Sequence, residues 1–266
     1  MNMRTVYDHD RERRVTGTDF LERRLEINRG YSSANFDQWL LQRLEVAQGE
    51  DLLDVGCGSG AQTVPFSRLV GDRGSVSATD ISEESIALLR TRLGTNANVQ
   101  LHVADMATLE KTIADVFKVK RYDMAHSSYA LYYSPSRLHV LDVMRNSLKQ
   151  RGRCAVFSPN APHGLVELAS RFATIPNEVS DCLTFGPLVL EPYFKAQFVR
   201  FDVHHFKNVV TVPDANLLID FYRQTTYHDA AAEDAMREIV NQEISLAGSF
   251  KYEKNGYLIV GYTHGE

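Results

Sequence analysis

Apolar residues follow two rhythms along this chain. Short, nearly unbroken runs at residues 52–55, 75–79, 99–103, 121–126 and 153–158 have the composition of strands buried on both faces. Between them, apolar positions recur every three or four residues, as they do on one face of a helix. Phe36, Leu40, Leu41 and Leu44 mark a helix over residues 34–46, which Ser32 and Ser33 are placed to cap and Gly49 to end. Ser82 is a second N-cap, with Glu83 and Glu84 where the helix dipole favours acids and Gly94 as the stop. Leu88, Leu89 and Leu93 then face inward. A third helix opens at Ser134-Pro135-Ser136 and turns Leu138, Leu141, Met144 and Leu148 toward the sheet. Strand and helix alternating in this way predict a doubly wound, mostly parallel α/β sheet.

After residue 158 the rhythm loosens. Pro159, Pro162, Pro176, Pro187 and Pro192 punctuate a stretch expected to hold a short helix at 163–173 and an irregular segment at 184–196, together covering the carboxyl ends of the strands. Residues 198–210 read as a sixth strand, 214–223 and 230–244 as helices, and 256–262 as a closing strand. The expected organisation is one structural domain: an N-terminal helical cap at 1–48, a ligand-binding core at 49–158, and at 159–266 a lid insertion with the C-terminal completion of the sheet.

With 266 residues and 44% hydrophobic content, the chain is long enough for one substantial core. The net charge of −5 argues against a nucleic-acid surface. Arg11, Arg13, Arg14, Arg23 and Arg24 alternate with Asp10, Glu12, Glu22 and Glu26, the pattern of a solvated helix face. Cys57, Cys154 and Cys182 are odd in number and widely spaced, so neither a disulfide framework nor a metal site is expected. The charged N-terminus lacks an apolar leader and no apolar run of membrane-spanning length occurs; a cytoplasmic protein with no membrane partner is the expectation, its oligomeric state open.

The chemistry concentrates at Asp54-Val55-Gly56-Cys57-Gly58-Ser59-Gly60, directly after the first strand, with Asp80 and Ile81 after the second. Alternate glycines permit tight backbone conformations, the following helix directs unpaired N–H groups at the loop, and a carboxylate some twenty residues on suits a ribose. Gly56-x-Gly58-x-x-Ala61 also fits the dinucleotide rule, so the spacing alone leaves NAD open.

The full motif resembles the first motif of the class I S-adenosylmethionine-dependent methyltransferases, in which Asp54, Gly56, Gly58 and Gly60 match at every position. The resemblance implies a Rossmann-like sheet of seven strands with an antiparallel last strand and a helical lid. It also implies S-adenosyl-L-methionine as cofactor, with Asp54 near the methionine ammonium, Gly56, Gly58 and Gly60, with Cys57 among them, cradling the methionine end, and Asp80 on the ribose. Asp105 would read the adenine and Met106 pack on its ring, while Tyr31 closes over the cofactor and Ser127 and Tyr132 line it. Tyr7 belongs to the same closing segment. Asp123-Met124-Ala125-His126 and Ala130-Leu131-Tyr132-Tyr133 look most like small-molecule enzymes, including the histamine N-methyltransferase type, with a weaker likeness at Leu217 to Phe221.

The expected reaction is methyl transfer to a nitrogen or oxygen of a small-molecule acceptor, by in-line displacement dominated by orientation. His163, His126 and Tyr129 are the candidate catalytic residues; Tyr129, Tyr133, Asn160 and His163 are the candidate substrate contacts. Each has a competing packing role. An NAD-dependent oxidoreductase and a catalytically silent cofactor-binding protein on the same fold are the rival readings.

Overall fold

A computed structural model describes residues 17–95 and 97–264. Tyr7 and the arginines at 11, 13 and 14 lie outside the described residues. The core strands are β1 (Asp51–Val55), β2 (Ser75–Asp80), β3 (Val99–Val103), β4 (Tyr122–Ser128) and β5 (Leu148–His163). β6 (Arg200–Phe206), β7 (Val209–Val212) and β8 (Phe250–Tyr262) complete the sheet. The order is β3-β2-β1-β4-β5-β8-β6, with β7 also pairing to β8. β1 to β5 run parallel, and β8 enters antiparallel between β5 and β6. β1 pairs with β2 on one side and β4 on the other, so the strand order reverses at β1, the switch point at whose carboxyl end open α/β sheets bind their ligands.

Helices cover both faces because the central strands are apolar on both. On one side α2 (Phe36–Leu44), α3 (Thr63–Val70) and α4 (Glu83–Leu93) bury Leu40, Leu44, Phe66, Val70, Ile86 and Leu89 against Leu52, Val76 and Ala78. On the other, α5 (Leu109–Asp115) and α6 (Arg137–Asn146) bury Ile113, Leu141 and Met144 against Leu53, Val55 and Ala125. Leu138, expected to face the sheet, is 52% exposed: it starts the helix one step off the buried stripe carried by Val140, Leu141 and Met144.

Segment 184–196 is not irregular. α8 (Asn177–Phe185), a π-helical turn at Gly186–Leu190 and α9 (Glu191–Gln197) follow without a break, with Pro187 and Pro192 placed at the two points where the helical hydrogen-bond pattern changes. Phe185, Leu190 and Phe194 put this segment in the flanking layer with α5 and α6. The sixth strand, in turn, breaks at Lys207 and Asn208 into β6 and β7, giving eight strands among the described residues where seven were expected. Asn208 fixes the break: it donates to Ser32 Oγ at 3.0 Å and accepts from the Ala34 N–H at 3.3 Å. Ser33 is engaged with Val209 N, and the cap of α2 is Asn35, which accepts from Gln38 N at 3.0 Å.

A third cluster extends past the carboxyl end of β5. α1 (Thr18–Tyr31), α7 (Gly164–Ala169), α10 (Ala215–Arg223) and α11 (Glu233–Ala247) pack with β7 and the first residues of β8 around Ile27, Leu168, Leu218, Phe221, Tyr222 and Met236. The Leu217 to Phe221 run is accounted for here, since Leu218, Ile219 and Phe221 are all buried.

Candidate active site

The glycine loop is held by backbone geometry that only glycine adopts freely. Gly56, Gly58 and Gly60 have φ of +73°, +51° and +90°. Their missing side chains admit protein neighbours: a Cβ on Gly56 would meet Ala130 Cβ at 2.3 Å, one on Gly58 would meet Leu21 Cδ2 at 3.0 Å, and one on Gly60 would meet Leu89 Cδ1 at 2.2 Å. The loop therefore joins the β4 tip, α1 and α4. Gly56 N and Cys57 N donate to Thr79 O, and Gly58 N donates to Asp80 Oδ2 at 2.8 Å. Asp80 Oδ1 accepts from Ser82 N at 2.9 Å, and burial raises the carboxyl above its ordinary range despite both bonds. Ile81 beside it is 56% exposed, and Met106 approaches the Gly56 position within 3.8 Å. Asp105 is exposed at the rim and caps the turn over Met106–Thr108 by accepting from Ala107 N at 2.8 Å. The Cys57 thiol is buried, pushed up by burial and by Asp54 and Asp80, and contributes no thiolate.

Asp54, at the end of β1, is held inside the protein. Only 2% exposed, it accepts from Thr63 Oγ1 at 2.6 Å and from His126 Nδ1 at 2.9 Å. His126 Nε2 in turn shares a hydrogen bond with Ser128 Oγ at 3.0 Å. His126 is 1% exposed and stands edge-on to Phe66. Both of its ring nitrogens are thus engaged at the tips of β1 and β4. The hydroxyl of Ser127 is likewise taken, donating to Val55 O at 2.8 Å across the β1–β4 pair.

Tyr129 stands one residue past β4 with φ of +56°, a left-handed conformation that a bulky aromatic adopts only under constraint. It is wedged between Phe36 at 5.4 Å and Phe157 at 4.8 Å between ring centroids, and burial raises its hydroxyl well above the ordinary range. Tyr132 stacks obliquely on Tyr133 at 4.5 Å; Tyr132 is half-buried, whereas Tyr133 is 44% exposed. Cys182 of α8 lies within electrostatic reach of both Tyr129 and Tyr132, so the π-containing helix borders the same space.

The other candidates scatter. His163 is buried at the end of β5, and its Nδ1 meets no hydrogen-bond partner among the described residues. Burial, with Lys254 nearby, pulls its pKa down to about 3. Asn160 faces away, into an outer groove of about 560 Å³ shared with His205, Lys207 and Asn208, because the bulge between Asn160 and His163 turns them apart. Tyr31 packs on the third cluster, remote from the glycines. What lies on the glycine loop instead is the N-terminal part of α1: Leu21 on Gly58, and Glu22, which accepts from Ser59 Oγ at 2.5 Å and pairs with Arg92 at 2.5 Å. Their signal in the sequence was only an alternation of charges, which any solvated helix shares.

The pattern of the methyltransferase domain family matches residues 47–188, more than half of the chain and all of the loop and strand tips just described. The chain belongs to the class I methyltransferases, whose cofactor is S-adenosylmethionine. The family match is to the methyltransferase domain at large and does not single out the histamine N-methyltransferase type. Aklanonic acid methyltransferase DauC of Streptomyces sp. (strain C5) is 31% identical over 148 residues, 54% of this chain and 59% of that protein. The ubiquinone/menaquinone biosynthesis C-methyltransferase UbiE of Azotobacter vinelandii is 32% identical over 138 residues, 49% of this chain and 52% of that one. The chain thus spans little more than half the length of the curated relatives it matches. Among solved structures, YcgJ of Bacillus subtilis superposes with a TM-score of 0.57 at 13% identity, covering 86% of this chain and 98% of that one, a likeness of fold.

Proposed function

We propose that this protein transfers a methyl group from S-adenosylmethionine to a nitrogen or oxygen of a small-molecule acceptor. The observation that carries the reading is the state of Asp80. Each carboxylate oxygen already holds one loop or helix N–H and keeps further acceptor capacity, which is what a pair of ribose hydroxyls requires. Exposed Ile81 and the nearby Met106 thioether offer apolar surface for a flat base, with Asp105 as acceptor at its edge. Asp54 would act on the methionine end through its buried charge. The bound donor supplies the activated methyl carbon; the chain supplies alignment, which can contribute roughly 7–11 kcal/mol to lowering such a barrier. Tyr129 and Tyr132, held by packing, present aromatic walls that exclude water and limit the acceptor's orientations.

No strong base is part of this proposal. A histidine held near a pKa of about 3 takes up protons poorly, so His163 orients a substrate and does not deprotonate it. Both ring nitrogens of His126 are engaged, by Asp54 and by Ser128. An amine, or an oxygen acid that reaches the site already ionised, suits such surroundings. A carbon acceptor is the second reading, favoured by the named activity of the Azotobacter relative. Incubation with methyl-labelled S-adenosylmethionine and a library of amines, phenols, carboxylic acids and enolisable quinones tests both. Label on nitrogen or oxygen is expected; label on carbon favours the second reading, and transfer to no compound together with stabilisation by NAD alone overturns the proposal.

A further inference from the structure

Across the β1–β4 seam runs a polar chain that packing does not require. Thr63 Oγ1 donates to Asp54 Oδ2 at 2.6 Å, Asp54 Oδ1 bonds His126 Nδ1 at 2.9 Å, and His126 Nε2 bonds Ser128 Oγ at 3.0 Å. Register builds it: Asp54 and His126 are direct partners on adjacent parallel strands, and Ser128 lies two residues on, over the same face of β4. Apolar residues in the two interior places would spare the cost of drawing a carboxylate and an imidazole out of water. Thr63, Asp54 and His126 are at most 2% exposed and Ser128 is 9% exposed, so the chain is closed inward and its outlet is Ser128, the last residue of β4. Next come Tyr129, held at a φ of +56°, and Ala130, against which Gly56 of the glycine loop packs. The outlet therefore lies at the strand tips where the methyl donor and acceptor are expected to meet.

A carboxylate on one imidazole nitrogen and a hydroxyl on the other is the arrangement in which the ring takes over the hydroxyl's proton. We infer that Asp54, His126 and Ser128 form a relay that removes the proton an amine acceptor loses on methylation. The inference rests on the methyltransferase reading and narrows the acceptor to a weakly basic, aromatic amine that bears an N–H. In the transfer the nitrogen lone pair forms the new N–C bond as the C–S bond breaks; sulfur keeps that bond's electron pair and loses its charge, and the nitrogen becomes a cation still carrying its N–H. Ser128 Oγ takes this proton while its own passes to His126 Nε2. The amine leaves neutral, Ser128 is restored, and the imidazolium stands against the Asp54 carboxylate until its proton returns through Ser128 to water. An imidazole accepts from a cation more acidic than imidazolium, as an arylammonium is and an alkylammonium is not, so the relay calls for no strong base. Ser128 is the catalytic residue; His126 and Asp54 act through it as positioning residues. Attack by Ser128 on a carbonyl is the poorer use of the same chain, because the Tyr129 N–H directly after it is already spent on Phe157 O at 3.2 Å and gives an oxyanion no donor.

The test joins a spectrum to a pair of substrates. Nuclear magnetic resonance is recorded on the full chain, isotope-labelled at its histidine nitrogens and saturated with S-adenosylhomocysteine. His126, assigned by its loss in His126→Gln, is expected to carry a proton on Nδ1 and none on Nε2, and Ser128→Ala is expected to shift the Nε2 resonance while the Nδ1 proton stays. A proton on Nε2 and none on Nδ1 overturns the relay, since no lone pair would then face Ser128. The shift in Ser128→Ala also assigns the ring, so the reading stands even if His126→Gln does not fold. The substrates are N-methylaniline, which loses a proton on methylation, and N,N-dimethylaniline, which has none to lose. Ser128→Ala is expected to lower kcat for the first at least about ten-fold more than for the second. Equal losses, as a merely structural Ser128 would give, overturn the relay, and where neither amine is turned over the spectrum decides. Failure of S-adenosylhomocysteine itself to bind overturns the methyltransferase reading and is seen separately.

Discussion

Single positions in this protein carry conflicting demands, and Gly56 shows it most directly. Its φ of +73° disfavours any L side chain, and a Cβ there would collide with the Cβ of Ala130, an atom with no flexible end to swing aside. The contact holds the glycine loop against the segment that carries Tyr129. Gly56→Ala is therefore expected to lose about 2 kcal/mol or more in urea unfolding and to weaken cofactor binding at the same time. Unchanged stability would mean that the loop and the β4 tip are not in contact. The glycine spacing was legible because each of the three adopts a positive φ. The interior roles of Asp54 and His126 were not legible, because nothing in a linear sequence shows that β1 and β4 adjoin and bring residues so far apart into one hydrogen-bonded chain.

Elements were legible where local signals and burial agreed. α4 begins after Ser82, which accepts from Ser85 N at 3.2 Å, and stops at Gly94, as the caps implied. Ser82→Ala should lose about 1 kcal/mol, read as a lower urea midpoint with unchanged slope. A steeper or shallower slope would instead signal a change in the unfolded or native state as a whole. The reading failed where tertiary partners overrode local chemistry. Prolines at 187 and 192 suggested an irregular cover, yet both sit where the helical hydrogen-bond pattern changes, and Phe185, Leu190 and Phe194 supply the apolar face that docks it on the sheet. Asn208 likewise breaks one expected strand in two by binding the segment that precedes α2.

At the scale of the whole molecule, two layers flank the sheet and a third cluster packs past the carboxyl end of β5, where His163 is buried. His163 reports this through pH. Its folded-state pKa lies near 3 and its unfolded value near 6.5. Between those limits the unfolded chain binds the extra proton, so this residue's contribution makes stability rise with pH from about 3 to 6.5 and fall on acidification. The melting temperature of His163→Phe should decline less steeply than that of the native protein across this window. Parallel declines would place His163 in contact with water.

The central claim is that the loop after β1 and the carboxylate after β2 hold an adenosyl cofactor, and calorimetric titration with S-adenosylhomocysteine tests it most directly. The native protein should bind, and Asp80→Ala should bind on the order of a hundred-fold more weakly, as expected for two lost hydrogen bonds to a charged acceptor. A native protein that takes up no S-adenosylhomocysteine, or an Asp80→Ala protein whose affinity equals the native one, would contradict it.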